Sequence, residues 1–343
     1  GMHSRQTGTI QGWDKGGANR KAARFEAGGF SSVHIPFAIW QRQADLVDTL
    51  RQMSEKLGHA NESAITITAE LSDAFRTKRA GISFVLDAVQ AALPNTRLHI
   101  FGVDGRFHPP SEVIDQPLLF AAANWLATAL LVAQHFPDCL LVDIGSTTTD
   151  IIPISAGQVV AAGRNDPERL VHGELLYTGA LRTPVFAVVQ QVPLWGRWCP
   201  VAAEFFATTQ DVYLWLEHLT PHQCTSPTAD GRPISMQFCA ERLARVVCAD
   251  TELLAREEIT ILARYVAQTQ LHQITRTIAQ VCSASRVNGP VIGVGVGAFL
   301  AEQAAQQLNL PFVRPIELLG IEGLAVAPAA AVAFLLAQQE AHV

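Results

Sequence analysis

The run Leu140-Leu141-Val142-Asp143-Ile144-Gly145-Ser146-Thr147-Thr148-Thr149-Asp150-Ile151-Ile152-Pro153-Ile154 constrains this chain more than any other stretch. Two apolar, β-branched runs flank a glycine and a string of hydroxyls, the pattern of a strand, a tight turn and a second strand. Gly145 permits φ > 0 or a close backbone approach to an anion. Ser146, Thr147, Thr148 and Thr149 set hydroxyls beside turn amides, which is the chemistry of a phosphate cradle. Asp143 and Asp150 bracket the turn and suit a hard cation, directly or through water. A plain hairpin tolerates the same residues, so the functional reading needs support from elsewhere in the chain.

That support comes from Ile10-Gln11-Gly12-Trp13-Asp14-Lys15-Gly16-Gly17-Ala18-Asn19-Arg20-Lys21-Ala22-Ala23, where an acid again ends a short strand before a glycine turn. A third glycine-rich turn, Val291-Ile292-Gly293-Val294-Gly295-Val296-Gly297-Ala298, opens a helix. This arrangement resembles the superfamily of acetate and sugar kinases, heat-shock chaperones and actin. The resemblance implies an α/β fold of two ribonuclease H-like domains around a central cleft. It also implies that the hairpins clasp phosphates and that the third turn receives a nucleoside or an equivalent group.

Further blocks narrow the likeness: Thr66-Ile67-Thr68-Ala69-Glu70-Leu71-Ser72-Asp73, Ala123-Asn124-Trp125, Gly173-Glu174-Leu175, Tyr177-Thr178-Gly179 with Arg182-Thr183-Pro184, Thr209-Gln210-Asp211, Asp230-Gly231-Arg232 and Arg242-Leu243-Ala244-Arg245. Together they resemble the branch of the hydantoinase A/oxoprolinase family linked to tetrahydromethanopterin-dependent one-carbon transfer. Its archaeal members are similar to a synthase of methanofuran biosynthesis that joins a furfuryl diphosphate to γ-glutamyltyramine. The activity so implied is transfer of a furfuryl group to a phenol oxygen, with diphosphate leaving. The broader family implies an ATP-dependent opening of a cyclic amide instead, and the superfamily a non-catalytic nucleotide-binding module.

At 343 residues the chain is long for one core, so the expectation is two domains. The first spans residues 1–137, with a helix over 327–339 packing back on it, and the second spans 138–326. A net charge of −6 argues against a broad basic nucleic-acid surface. Six scattered cysteines without a C-x-x-C pair suit reduced thiols of a cytoplasmic protein. His218, His222 and Cys224 have zinc-compatible spacing, but a loop around Pro221 explains them better. Gly1 before Met2 reads as a tag scar, and the opening shows no signal-peptide core. The apolar segment Leu118 to Val132 is interrupted by Asn124 and is too short to span a membrane.

Periodicity predicts a β-meander over 10–40, helices over 45–57, 73–93, 117–134, 240–247, 256–282 and 299–308, and strands over 64–68, 99–103, 185–192 and 291–296. Residues 165–179 read as a polar loop, and 193–200 as an aromatic insertion.

The candidate site follows. Asp14 and Asp143 would bracket a Mg²⁺–diphosphate, with Gly16, Gly17, Gly145, Ser146, Thr147 and Thr148 around the phosphates. Asn19 and Lys21 are polar candidates on the first hairpin, while Lys15 reads as exposed on an edge strand. Glu70, Asp73 or Asp150 would serve as the base, although the first two also suit acids at a helix start. Asn124 needs a buried partner or a ligand. Thr178, Arg182 and Thr183 are placed to clamp an anion, Arg182 in bidentate fashion. Asp211, Asp230 and Arg232 enter by resemblance alone, and Gly295 and Gly297 make a ligand-approach turn. The partners expected are small-molecule substrates, a furfuryl diphosphate and a tyramine derivative, with ATP only under the rival readings.

Overall fold

The computed structural model describes residues 9–15, 19–26, 29–36, 45–67, 75–317, 320 and 327–341. Strands β1 (Ile10–Lys15), β2 (Asn19–Glu26) and β3 (Gly29–Pro36) form an antiparallel meander. Strands β4 (Glu62–Ile67) and β5 (Arg97–Phe101) then add in parallel on the other side of β1, and the short β6 (Phe107–His108) closes the edge. The resulting order is β3-β2-β1-β4-β5-β6.

The second sheet repeats the plan. Strands β7 (Cys139–Ile144) and β8 (Thr149–Ser155) pair antiparallel, and β9 (Gln158–Val159) and β10 (Leu175–Leu176) both pair with β8. Strands β13 (Val291–Val294) and β14 (Phe312–Val313) extend β7 in parallel. Three strands of antiparallel meander followed by parallel strands, twice over, is the duplicated ribonuclease H-like architecture of the actin-like ATPase and sugar kinase superfamily.

Strand parity decides which face each side chain serves. On β1, Trp13 faces a core made with helices α1 (Leu46–Leu57) and α2 (Lys78–Ala92). Ile10 faces the opposite way, into a layer shared with α3 (Asn124–His135) and the C-terminal helix. On β7, Leu140, Val142 and Ile144 face the helices of the second half, whereas Cys139 and Leu141 join that same shared layer. Asp14 has the parity of Ile10, and Asp143 that of Leu141. Both acids therefore look toward the layer between the sheets.

The remaining helices of six or more residues among the described residues are α4 (Asp166–Val171), α5 (Thr209–Trp215), α6 (Met236–Arg245), α7 (Arg256–Ser285), α8 (Ala298–Gln307) and α9 (Ala327–Ala341). Helix α9 lies against β1, β2, β4 and α3. Its alanines let it come so close that a Cβ on Gly12 would overlap the carbonyl oxygen of Ala329. No helix among the described residues is long and apolar enough to cross a membrane.

Several expectations need correction. The segment 117–134 is not one helix: Pro117–Leu119 is a 3-10 turn, and α3 begins only at Asn124. Backbone bonds from Val103 N to Leu119 O (2.8 Å) and from Ala123 N to Ile67 O (3.3 Å) draw the intervening chain onto the sheet. The helix expected over 73–93 runs from Lys78 to Ala92, started by the Thr77 side chain accepting from Ala80 N. Residues 165–179 are not all loop, because Asn165 caps α4 through Glu168 N and Leu175–Leu176 join β8. Val185–Val188 makes a helical turn, although its β-branched residues suggest a strand, because Val185, Val188 and Val189 share one buried face at helical spacing. The aromatic stretch 193–200 contributes to a hairpin, β11 (Gln191–Leu194) with β12 (Arg197–Pro200). Strand β1 is interior to its sheet, so the edge placement of Lys15 does not hold.

The Gly12 approach is testable. Gly12→Ala forces α9 off β1 and is expected to cost about 1–3 kcal/mol or more, as overpacking does. Urea denaturation should show a lower midpoint with an unchanged slope.

Candidate active site

In register, Asp14 lies opposite Lys21 and Asp143 opposite Asp150. The two hairpins influence each other. Burial, then the charge of Asp150, push the Asp143 carboxyl up to about 7; Lys21 pulls it down and Asp14 pushes it further up. Residues from both sheets thus act on one carboxyl. Asp14 itself is 5 % exposed.

The turn after β7 is closed by Gly145 N donating to Thr148 O (3.0 Å), and Gly145 does this without a left-handed φ. The carbonyls of Gly145 and Ser146 are taken as well. Ala180 N donates to Gly145 O (2.9 Å), and Leu181 N (3.1 Å) and Arg182 N (2.9 Å) both donate to Ser146 O. The amides of Thr147 and Thr148, by contrast, find no acceptor among the described residues. With the Gly145 and Ser146 carbonyls occupied, the turn keeps the open amides of Thr147 and Thr148 beside the hydroxyls of Ser146, Thr147 and Thr148, a set that suits an anion. Its half-buried setting strengthens such contacts.

This donor turn beside an acid pair fits a cation–diphosphate. Burial first, and the neighbouring acids after it, raise Asp143; a divalent ion would relieve that acid repulsion, and Asp14 and Asp143 are the residues that would hold it.

The glycine turn lies against the same strand end. Gly297 N donates to Ile144 O (2.8 Å), and a Cβ on Gly295 (φ 90°) would lie 2.7 Å from Asp143 Oδ1. Gly295 and Gly297 therefore seat Asp143, a task in addition to any ligand approach. Asn124 is the first residue of α3, half-buried, and its side chain has no partner among the described residues. Arg182 is half-buried beside the turn its amide supports.

Other candidates have structural tasks. Asp150 is held by Arg169 Nη2 (2.8 Å), and that guanidinium also lies 4.4 Å over the Trp125 ring, so this acid is poorly placed to act as a base. Thr183 Oγ1 accepts from Gly179 N (2.8 Å), and Thr178 Oγ1 accepts from Gln270 Nε2 (2.8 Å); both threonines are buried. Asp211 accepts from Thr208 N (3.1 Å) and from Arg242 Nε (2.8 Å). Asp230 pairs with Arg242 (3.2 Å) and Arg245 (3.1 Å), and Arg232 with Glu241 (3.7 Å). Asp211, Asp230 and Arg232 join an ion network that fastens α5, α6 and the 228–233 loop. Gly16, Gly17, Glu70 and Asp73 lie outside the described residues, as do the side chains of Asn19 and Lys15. His218 stacks on Phe299 (5.2 Å), and with His222 and Cys224 it forms no convergent metal-ligand group among the described residues.

Sequence reasoning missed Arg169, Gly179 and Gln270. For Gln270 a signal existed: it interrupts the apolar stripe Ile259, Leu262, Val266, Ile274, Ile278 at helical spacing.

Comparison with known proteins bears on all of this. The family described as Hydantoinase/oxoprolinase matches residues 61–339. A protein of Methanocaldococcus jannaschii named (4-{4-(2-(gamma-L-glutamylamino)ethyl)phenoxymethyl}furan-2-yl)methanamine synthase is 34% identical over 331 residues, 96% of this chain and 98% of the relative. A synthase of the same name from Methanococcus vannielii is 32% identical over 182 residues, 53% of this chain and 81% of the relative. Among solved structures, acetone carboxylase in its nucleotide-free form is similar with a TM-score of 0.55 at 10% identity, covering 94% of this chain and 70% of that one. The ethanolamine utilization protein EutJ from Carboxydothermus hydrogenoformans is similar with a TM-score of 0.50 at 15% identity, covering 94% of this chain and 89% of the other. At such identities these structures speak for the fold alone.

The Asp143 environment sets a pH dependence. Its folded pKa lies above the unfolded value of about 3.9, so its contribution to stability is present at low pH and lost as pH rises through about 7. Without divalent cations, Asp143→Asn should therefore melt higher than the wild type at pH 8, by roughly 2 °C or more. The gap should narrow as pH falls toward 5, a trend that thermal melts across the pH range will check.

Proposed function

The chain belongs to the hydantoinase/oxoprolinase family, and we propose that it is a transferase joining a furfuryl diphosphate to the phenol oxygen of a tyramine derivative. The observation that carries this reading is the 34% identity running over 98% of the M. jannaschii synthase, whose name spells out a phenoxymethyl-furan ether. The geometry supports it, since the turn with open amides at Thr147 and Thr148 directly follows the strand that carries Asp143, whose carboxyl also feels Asp14 from the other sheet.

In this reading the amides of Thr147 and Thr148, with the hydroxyls of Ser146, Thr147 and Thr148, hold the diphosphate. Asp14 and Asp143 would hold Mg²⁺, which when bound neutralises charge on the leaving group. The bond between the furfuryl CH₂ and the diphosphate oxygen breaks, and its electron pair leaves with the diphosphate. The phenol oxygen forms the new bond to that carbon and gives its proton to a carboxylate. A free phenol titrates near pH 10, so the base is needed at neutral pH. Glu70 or Asp73 is favoured for this step, because Asp150 is committed to Arg169. Turn donors aimed where charge develops stabilise departure of the diphosphate.

The purified protein with Mg²⁺ should release diphosphate only when both organic substrates are present, and mass spectrometry should find the ether. Asp14→Asn should lower kcat/KM by about 100-fold or more. ATP consumption accompanying turnover would overturn the reading, as would diphosphate release without the phenol.

A further inference from the structure

We propose that Gln270 is a positioning residue for the anion turn, acting from α7 through a strap made of residues 178–182. The assignment rests on the reading of Ser146 to Thr148 as the diphosphate turn, and adds what holds that turn in shape.

Gln270 is wholly buried, on the apolar face of α7. Its Nε2 donates to Thr178 Oγ1 (2.8 Å) and to Gly179 O (2.8 Å), and its Oε1 accepts from the Tyr213 hydroxyl. An amide at such a position is costly unless every group is bonded, and an aliphatic side chain would serve the core better. Its presence therefore calls for a task beyond packing, and the next links of the chain supply one. Gly179 O also accepts from Thr209 Oγ1 (2.9 Å) and Thr183 Oγ1 (3.3 Å), so one carbonyl is pegged by side chains from separate elements.

Gly179 in turn lies flush on the anion turn: a Cβ there would be 2.5 Å from Ser146 C, Ser146 O and Thr147 N. On either side of it the strap bonds to the turn itself. Thr149 Oγ1 donates to Thr178 O (2.8 Å), and the amides of Ala180, Leu181 and Arg182 take Gly145 O and Ser146 O. The strap thus occupies the Gly145 and Ser146 carbonyls and fixes the Ser146–Thr147 peptide plane. Because that plane carries the Thr147 amide, the peg at Gly179 sets where the donor points. Displacement by a fraction of an ångström is enough to spoil such a site.

The test uses inorganic diphosphate with Mg²⁺ as the probe, titrated calorimetrically into the full chain well below its melting temperature. Gln270→Met keeps the volume and removes the peg; it should bind about tenfold more weakly or worse, one lost hydrogen bond being worth roughly that factor. Thr178→Val removes one of the peg's bonds and should fall between Gln270→Met and the wild type. Tyr213→Phe leaves both donations of Gln270 in place and should bind within about threefold of the wild type. A merely structural role would lower the melting temperature in all variants without ranking their affinities this way. Wild-type affinity in folded Gln270→Met, or equal losses in Gln270→Met and Tyr213→Phe, would overturn the assignment alone. If Gln270→Met does not fold, wild-type affinity in Thr178→Val would do so instead. Failure of the wild type to bind diphosphate would overturn the diphosphate reading and this assignment with it.

Discussion

Like charges held close in a half-buried space make an unstable arrangement, and this molecule keeps one at its centre. Asp14 and Asp143 come from different sheets, and Asp143 also has Asp150 opposite it across the β7–β8 pair. Lys21 relieves part of the repulsion, and Arg169 neutralises Asp150 from behind. Beside these acids the Gly145 turn presents the open amides of Thr147 and Thr148. In the proposed reading, a cation and an anion bound together would answer both halves.

Holding this arrangement requires backbones to approach one another more closely than side chains allow, and glycine marks each approach. Gly12 admits α9 to β1, Gly179 lets the strap lie on the turn, and Gly295 brings the third turn against the Asp143 carboxyl. The layers are joined by small side chains for the same reason. The alanines of α9 and α3 share one cluster with Ile10 from the first sheet and Leu141 from the second.

Residues with local causes were legible in the sequence. The acid-ended hairpins, the glycine turn at 293–297 and the apolar stripe of α7 each carry their signal within a few neighbours, and the duplicated fold follows from their order. Illegible parts depended on distant partners. Nothing near Asp150 announces Arg169, and nothing near Asp211 announces that Arg242 would take its charge. Family likeness pointed to Asp211, Asp230 and Arg232, and what their geometry adds is ion pairs that fasten the surrounding helices. The valines from 185 to 189 misled for another reason, because burial on one side outweighed their preference for extended backbone.

Helix α9, which covers the inner face of β1, is also the last helix of the described chain. During synthesis the opening meander emerges long before its cover, and its apolar inner side must wait exposed while the whole second half is made. The strand that delivers Asp14 cannot settle until α9 has been made. Assembly of the centre is therefore a late event, and partial chains on the ribosome carry the parts of a catalyst without its grip.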